Sequence, residues 1–165
     1  MNKAAIRLTL RPPMDSGTFE LHRGLTVRSR SADETRAIGR GIGAGLRVGD
    51  CLAIRGELGA GKTVIAQGIV AGAGGGDDVR SPTFLLHAIY PGRIPLHHLD
   101  LYRLEGGVEL RSLGIDEALL DGAVIVEWPE RAEADWFTGM IALEIASETE
   151  RVIDLQLRPG LGGDA

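Results

Sequence analysis

Eight consecutive residues, Gly56-Glu57-Leu58-Gly59-Ala60-Gly61-Lys62-Thr63, constrain this chain more than any others. They match G-x-x-x-x-G-K-[ST], with an apolar run, Cys51–Ile54, before them and a helical pattern from Lys62 to Ala71 after them. Glycines let the main chain fold into a nest of N–H groups, and a helix N-terminus adds positive potential, so the unit suits phosphate oxygens. A lysine at the seventh position reaches outer phosphates as a point charge, and the hydroxyl after it binds a bridging magnesium. Lys62 is one of only two lysines, the other being Lys3, beside sixteen arginines. From the chain's own residue frequencies, about 0.003 such matches are expected by chance. The loop therefore calls for a strand–loop–helix unit that holds a nucleotide's phosphates.

The rest of the composition sets bounds. At 165 residues, 44% hydrophobic and 25% charged, the chain is one ordinary domain with material for a real core. Its 24 glycines are about twice the usual share and imply tight turns and close backbone approaches. A net charge of −5 and a pI near 5.4 exclude a free-standing nucleic-acid binder held by a basic surface. A single cysteine, Cys51, allows neither an internal disulfide nor a cysteine-based zinc site, so a reducing compartment is expected. The longest apolar stretch, Val64–Gly76, is broken by glycines, and Lys3, Arg7 and Arg11 interrupt any signal-peptide pattern. The expectation is a soluble, cytoplasmic protein with no membrane partner.

Along the chain, residues 1–24 read as an N-terminal extension split by Arg11-Pro12-Pro13, residues 25–158 as the folded domain, and 159–165 as a C-terminal tail. Leu25–Arg28 is a first strand. Ser31-Ala32-Asp33-Glu34 is a capping box for a helix carrying Ile38, Ile42 and Leu46, ended by Gly45 or Gly49; a ligand edge is the other reading of Ser31–Thr35. Leu85–Tyr90 and Ile94–Leu99 form a hairpin, Glu105–Leu120 one or two short helices with Gly114 between them, and Ala123–Val126 a buried strand. Ile141–Ile145 and Val152–Leu157 close the domain as a pair. The expected fold is α/β: a P-loop NTPase-like three-layer sandwich whose mixed, partly parallel sheet is flanked by helices.

Such a loop also needs acids for the metal and the attacking water. Asp100 and Glu127 each end an apolar strand, at the sheet edge where open α/β folds bind ligands; spacing does not separate their roles. His97 and His98 are neighbours on a strand, point to opposite faces and do not easily share a metal, so packing and hydrogen bonding are expected of them. Arg131 and Arg151 are candidate phosphate or nucleotide contacts, and Cys51 a small buried residue.

Taken together, the loop, Ser81-Pro82-Thr83-Phe84, His98-Leu99-Asp100-Leu101-Tyr102-Arg103-Leu104 and Val126-Glu127-Trp128-Pro129-Glu130-Arg131 resemble the bacterial TsaE family, also called YjeE, over roughly Leu25 to Leu157. The resemblance implies binding and weak hydrolysis of ATP with Mg2+. It also implies action with TsaB and TsaD, the latter transferring threonylcarbamoyl to adenosine 37 of tRNAs reading ANN codons, the tRNA being gripped by the partners. By motif, Glu57, Gly59, Ala60, Gly61, Lys62 and Thr63 hold the phosphates, and Thr63 and Glu127 are the magnesium ligands. Asp100 and Lys62 serve catalysis, and Thr83 lies in a nucleotide-sensing switch. Trp128 contacts nucleotide or partner, and Ser31 and Arg151 lie toward the adenine. One departure is Val64, where many members carry a second hydroxyl; a modest effect is expected.

Other classes fit less well. A small-molecule kinase needs a lid, and Pro129–Ala134 offers little beyond Arg131. A GTPase commonly uses N-K-x-D, and the only asparagine is Asn2. A non-enzymatic nucleotide switch through Ser81–Phe84 differs from the hydrolytic reading in what loss of Asp100 would do.

Overall fold

The computed structural model describes residues 24–76, 79, 86–107, 109–132 and 137–157. The expectations for residues 1–23, for Ser81–Phe84 with Thr83, and for 159–165 lie outside these residues.

Seven strands form one sheet: β1 (Leu25–Ser29), β2 (Cys51–Arg55), β3 (His87–Tyr90), β4 (Leu96–Asp100), β5 (Ala123–Glu127), β6 (Gly139–Ile145) and β7 (Arg151–Leu157). Their spatial order is β1-β7-β6-β2-β5-β4-β3. The inner strands β6, β2, β5 and β4 run parallel, while β7, β1 and β3 pair antiparallel at the two edges. Three helices, α1 (Ala32–Ala44), α2 (Lys62–Gly72) and α3 (Ile115–Asp121), cover the two faces, so the sandwich has three layers. The first short helix after Glu105 is a 3-10 turn over Leu110–Leu113, and Gly114 separates it from α3.

Period-two alternation assigns every inner strand residue to a face. Leu52, Ile54, Ala123 and Ile125 pack under α1 and α2 with Ile38, Ile42, Ile65 and Ile69. Cys51, Val124 and Val126 pack on the other side with Leu110, Ile115 and Ala118. Because helices cover both faces, β5 is buried along its whole length and β2 at every residue but its last, which is why both read as unbroken apolar runs.

Helix α1 starts as its sequence signals: the Ser31 hydroxyl accepts from Glu34 N–H at 3.1 Å. The return arm differs from a standard capping box. Glu34 Oε2 accepts from Arg30 N–H, one residue before the cap, at 2.7 Å. At the other end Gly45 is the cap, with no basic residue in the last turn. Arg93, from the β3–β4 connection, supplies the positive charge there, donating to the carbonyls of Gly43, Ala44 and Leu46 at 3.4, 3.2 and 2.9 Å.

Helices α1 and α2 lie side by side at glycine separation. A Cβ on Gly39 would fall 2.4 Å from the Ile65 carbonyl oxygen, and one on Gly43 2.0 Å from that of Ile69. Reciprocally, Cβ atoms on Gly68 and Gly72 would each fall 2.2 Å from the carbonyls of Arg36 and Arg40. Two glycines four apart on each helix thus let the backbones touch. The crossing holds the N-terminal ends of both helices on one side of the sheet.

Candidate functional site

Strand β2 ends at Arg55, and the chain turns through Gly56–Gly61 before entering α2. Gly59 and Gly61 have φ of +81° and +100°, in the left-handed region that a Cβ disfavours. Gly61 is the cap residue of α2 and no side chain caps that end, so the first-turn N–H groups have no intrahelical or side-chain acceptor. This is the anion-receptive geometry expected of the loop.

Three parallel strands end around it. The register sets Glu127 opposite Ile54 of β2 and opposite Asp100 of β4. By strand parity, Asp100, His98 and Leu96 share one face, and Leu96 belongs to the core under α1 and α2. Glu127 has the parity of Ile125 on the same side. Both carboxylates therefore lie on the face that carries α2. They line a cleft of about 360 Å³ together with Gly59, Gly61, Lys62, Thr63, Tyr102 and Trp128. Asp100 and Glu127 are buried, and Asp100 Oδ1 accepts from the Tyr102 N–H at 3.0 Å.

Lys62 is only 6% exposed. Its ammonium donates to the carbonyls of Gly56 and Glu57 at 2.6 and 2.8 Å and lies 3.9 Å from the centre of the Trp128 ring. Burial pulls the Lys62 pKa below its ordinary value, while Glu127, Glu130, Asp100 and Glu57 act against that fall. Trp128 adopts φ 59° and ψ 51°, a left-handed conformation uncommon outside glycine, at the point where β5 turns away. Its ring also packs against Tyr102 at 5.0 Å. Val64 lines the cleft at the position where the second hydroxyl is missing.

A second cleft of about 320 Å³ adjoins the first through Gly61 and Val64 and is lined by Ser31, Thr35 and Arg151 among others. Arg151 is committed to main-chain carbonyls: Nε to Ala60 at 3.0 Å, Nη2 to Gly59 at 3.2 Å, and Nη1 to Ser147 and Glu150 at 3.0 and 2.9 Å. It thereby braces the glycine loop against the β6–β7 turn. Ser31 combines the cap of α1 with a place on this cleft. Of the other loop residues, Ala60 is fully buried, and Glu57 is exposed with its carbonyl on Lys62. Neither of these two lines either of the two clefts described. Arg131 donates to the Leu104 carbonyl at 2.8 Å and serves to pin the β5 exit.

The donor set consists of hard oxygens: a hydroxyl at Thr63 and carboxylates at Asp100 and Glu127. Among the described residues no group of three or more His, Cys, Asp or Glu forms a metal cage. That combination suits Mg2+, which keeps waters and shares its coordination with phosphates. Both adjacent histidines make the hydrogen bonds expected of them, to partners the sequence does not name. His98 is buried and its Nε2 lies 2.8 Å from Glu127 Oε1, a contact signalled in the sequence only by shared parity with Asp100. His97, on the opposite face, instead meets His87 at 3.0 Å.

Mixed sheet, two helical layers and glycine loop define a P-loop-type α/β protein. Similarity to known proteins narrows the class. The family described as threonylcarbamoyl adenosine biosynthesis protein TsaE matches residues 29–153. A tRNA threonylcarbamoyladenosine biosynthesis protein TsaE of Treponema pallidum is 36% identical over 128 residues, covering 76% of this chain and 95% of the relative. Its namesake in Streptomyces coelicolor is 42% identical over 99 residues, covering 58% and 67%. The crystal structure of Bacillus subtilis YdiB superposes with a TM-score of 0.63 at 30% identity, covering 81% of this chain and 84% of that one. The chain belongs to the TsaE family, whose members are named as factors of tRNA threonylcarbamoyladenosine biosynthesis.

Proposed function

We propose that this protein is a magnesium-dependent ATP-binding and ATP-hydrolysing component required for threonylcarbamoylation of adenosine 37 in tRNAs reading ANN codons. The observation that carries the reading is the convergence of Lys62, Thr63, Asp100 and Glu127 on one cleft beside unpaired helix N–H groups.

Loop amides from Gly59 to Thr63 bind the phosphates, and Lys62 exchanges its carbonyl partners for phosphate oxygens. Thr63 and Glu127 would hold the magnesium, which would supply positive charge beside the phosphates. Asp100, fixed by the Tyr102 amide, orients the attacking water. Arg151 holds the loop in shape, and the cleft at Ser31 and Arg151 accepts the base. Trp128 closes the lysine side of the cleft. Thr83 keeps its proposed role as a switch residue. The partners in this reading are TsaB and TsaD, with tRNA held through them, in the cytoplasm. The net charge of −5 agrees with a chain that does not grip RNA by itself.

Reconstitution tests the proposal: the purified chain, TsaB, TsaD and an unmodified ANN-decoding tRNA, assayed for modification with and without Mg-ATP. Modification that needs both this chain and ATP supports it. Modification unaffected by omitting the chain refutes it.

A further inference from the structure

We infer that His98 is a positioning residue that fixes the carboxylate of Glu127 for its cation. The inference rests on the ATP-and-magnesium reading above and adds to it a residue outside the cleft. His98 does not line the cleft; it lies behind it, fully buried on β4, two residues before Asp100. In the parallel register it stands opposite Ile125, so Glu127 is its diagonal neighbour one step nearer the site. The 2.8 Å contact from Nε2 to Oε1 occupies one carboxylate oxygen and leaves Oε2 as the ligand atom.

Two observations separate this from ordinary packing. Among the described residues, His98 Nδ1 is the only buried side-chain nitrogen or oxygen without a partner. The ring's sole polar engagement is therefore Glu127, and a histidine retained only for shape would gain from an apolar replacement. Second, the contact joins the two strands that deliver the site's carboxylates, since β4 carries Asp100 and β5 carries Glu127. Fixing one oxygen restricts rotation of Glu127 and sets the approach of the other.

The test compares His98→Gln with His98→Asn in the full chain. A glutamine amide nitrogen comes near the place of Nε2, whereas asparagine is too short to reach Glu127. Titration calorimetry with ATP, with and without magnesium, gives for each variant the gain in affinity that magnesium confers. The expected result is that His98→Asn lowers this gain about ten- to a hundredfold while His98→Gln keeps most of it. Affinity for metal-free ATP should change less than twofold in both.

Equal magnesium gains in wild type and His98→Asn overturn the inference while leaving the ATP reading intact. A wild-type chain that gains nothing from magnesium overturns both. Nitrogen NMR of the wild-type ring gives a check independent of either variant's folding. The His98 Nε2 resonance should respond to Mg-ATP and not to ATP alone, and an unresponsive resonance counts against the role.

Discussion

Gly43→Ala probes the tightest glycine contact among the described residues. The new Cβ would sit 2.0 Å from the Ile69 carbonyl oxygen and 3.0 Å from the Ala73 nitrogen, both backbone atoms that cannot rotate away. Against the 3.4 Å at which ordinary contact begins, α1 and α2 would have to part by about 1.4 Å locally. Alanine gains about 1 kcal/mol of helix propensity over glycine. Overpacking costs about 1–3 kcal/mol or more, and separation also loosens Ile38, Ile42, Ile65 and Ile69, which are buried beside the crossing. Less the propensity gain, overpacking leaves up to about 2 kcal/mol, and the loosened packing brings the expected net loss to about 1–3 kcal/mol, or roughly 2–12 °C in melting temperature for a chain of this size. Gly41 is the internal control: it lies in the same helix, and a Cβ added there would meet nothing within 4 Å, so Gly41→Ala should stabilise by up to about 1 kcal/mol. Urea unfolding followed by circular dichroism measures both. If Gly43→Ala is as stable as the parent, the glycine crossing is not what holds the two helices in place.

Three further outcomes are expected. Lys62→Ala should abolish nucleotide binding, and Glu127→Ala should weaken it only when magnesium is present; unchanged Mg-ATP affinity in both contradicts the assignment, as calorimetry would report. Asp100→Ala should keep ATP binding and complex assembly yet lose tRNA modification, whereas full modification in that variant favours a pure nucleotide switch. For Cys51, burial first and Asp50 second push the thiol from its ordinary 9.0 up to about 12. The folded chain should resist alkylation at pH 8 until denatured. Because the folded value is the higher, this thiol's contribution to stability is intact below pH 9 and is lost as pH rises from 9 toward 12, which Cys51→Ala should remove from an alkaline unfolding series.

The glycine loop is legible because its chemistry is contiguous: positive-φ positions, a lysine and a hydroxyl follow one another within eight residues. The buried strands, the Ser31 cap and the break at Gly114 are legible for the same reason, each being a signal within one turn or one strand. Asp100 and Glu127 stand out as strand-end acids, but nothing local states that β4 and β5 are neighbours in register.

What remains for the tertiary structure is everything that depends on two distant segments meeting. The glycine excess implies close backbone approaches, but only the packing of α1 against α2 makes those at 39, 43, 68 and 72 the contact surface. Arg93 caps a helix about fifty residues away, and Arg151 braces a loop about ninety residues away, through carbonyls that carry no side-chain signature. The bond from His98 to Glu127 belongs to this group as well. Backbone conformation is set by neighbours along the chain, so sequence determined the elements and the loop; pairing and packing are set by neighbours in space, so only the folded sheet decided which side chains share the site.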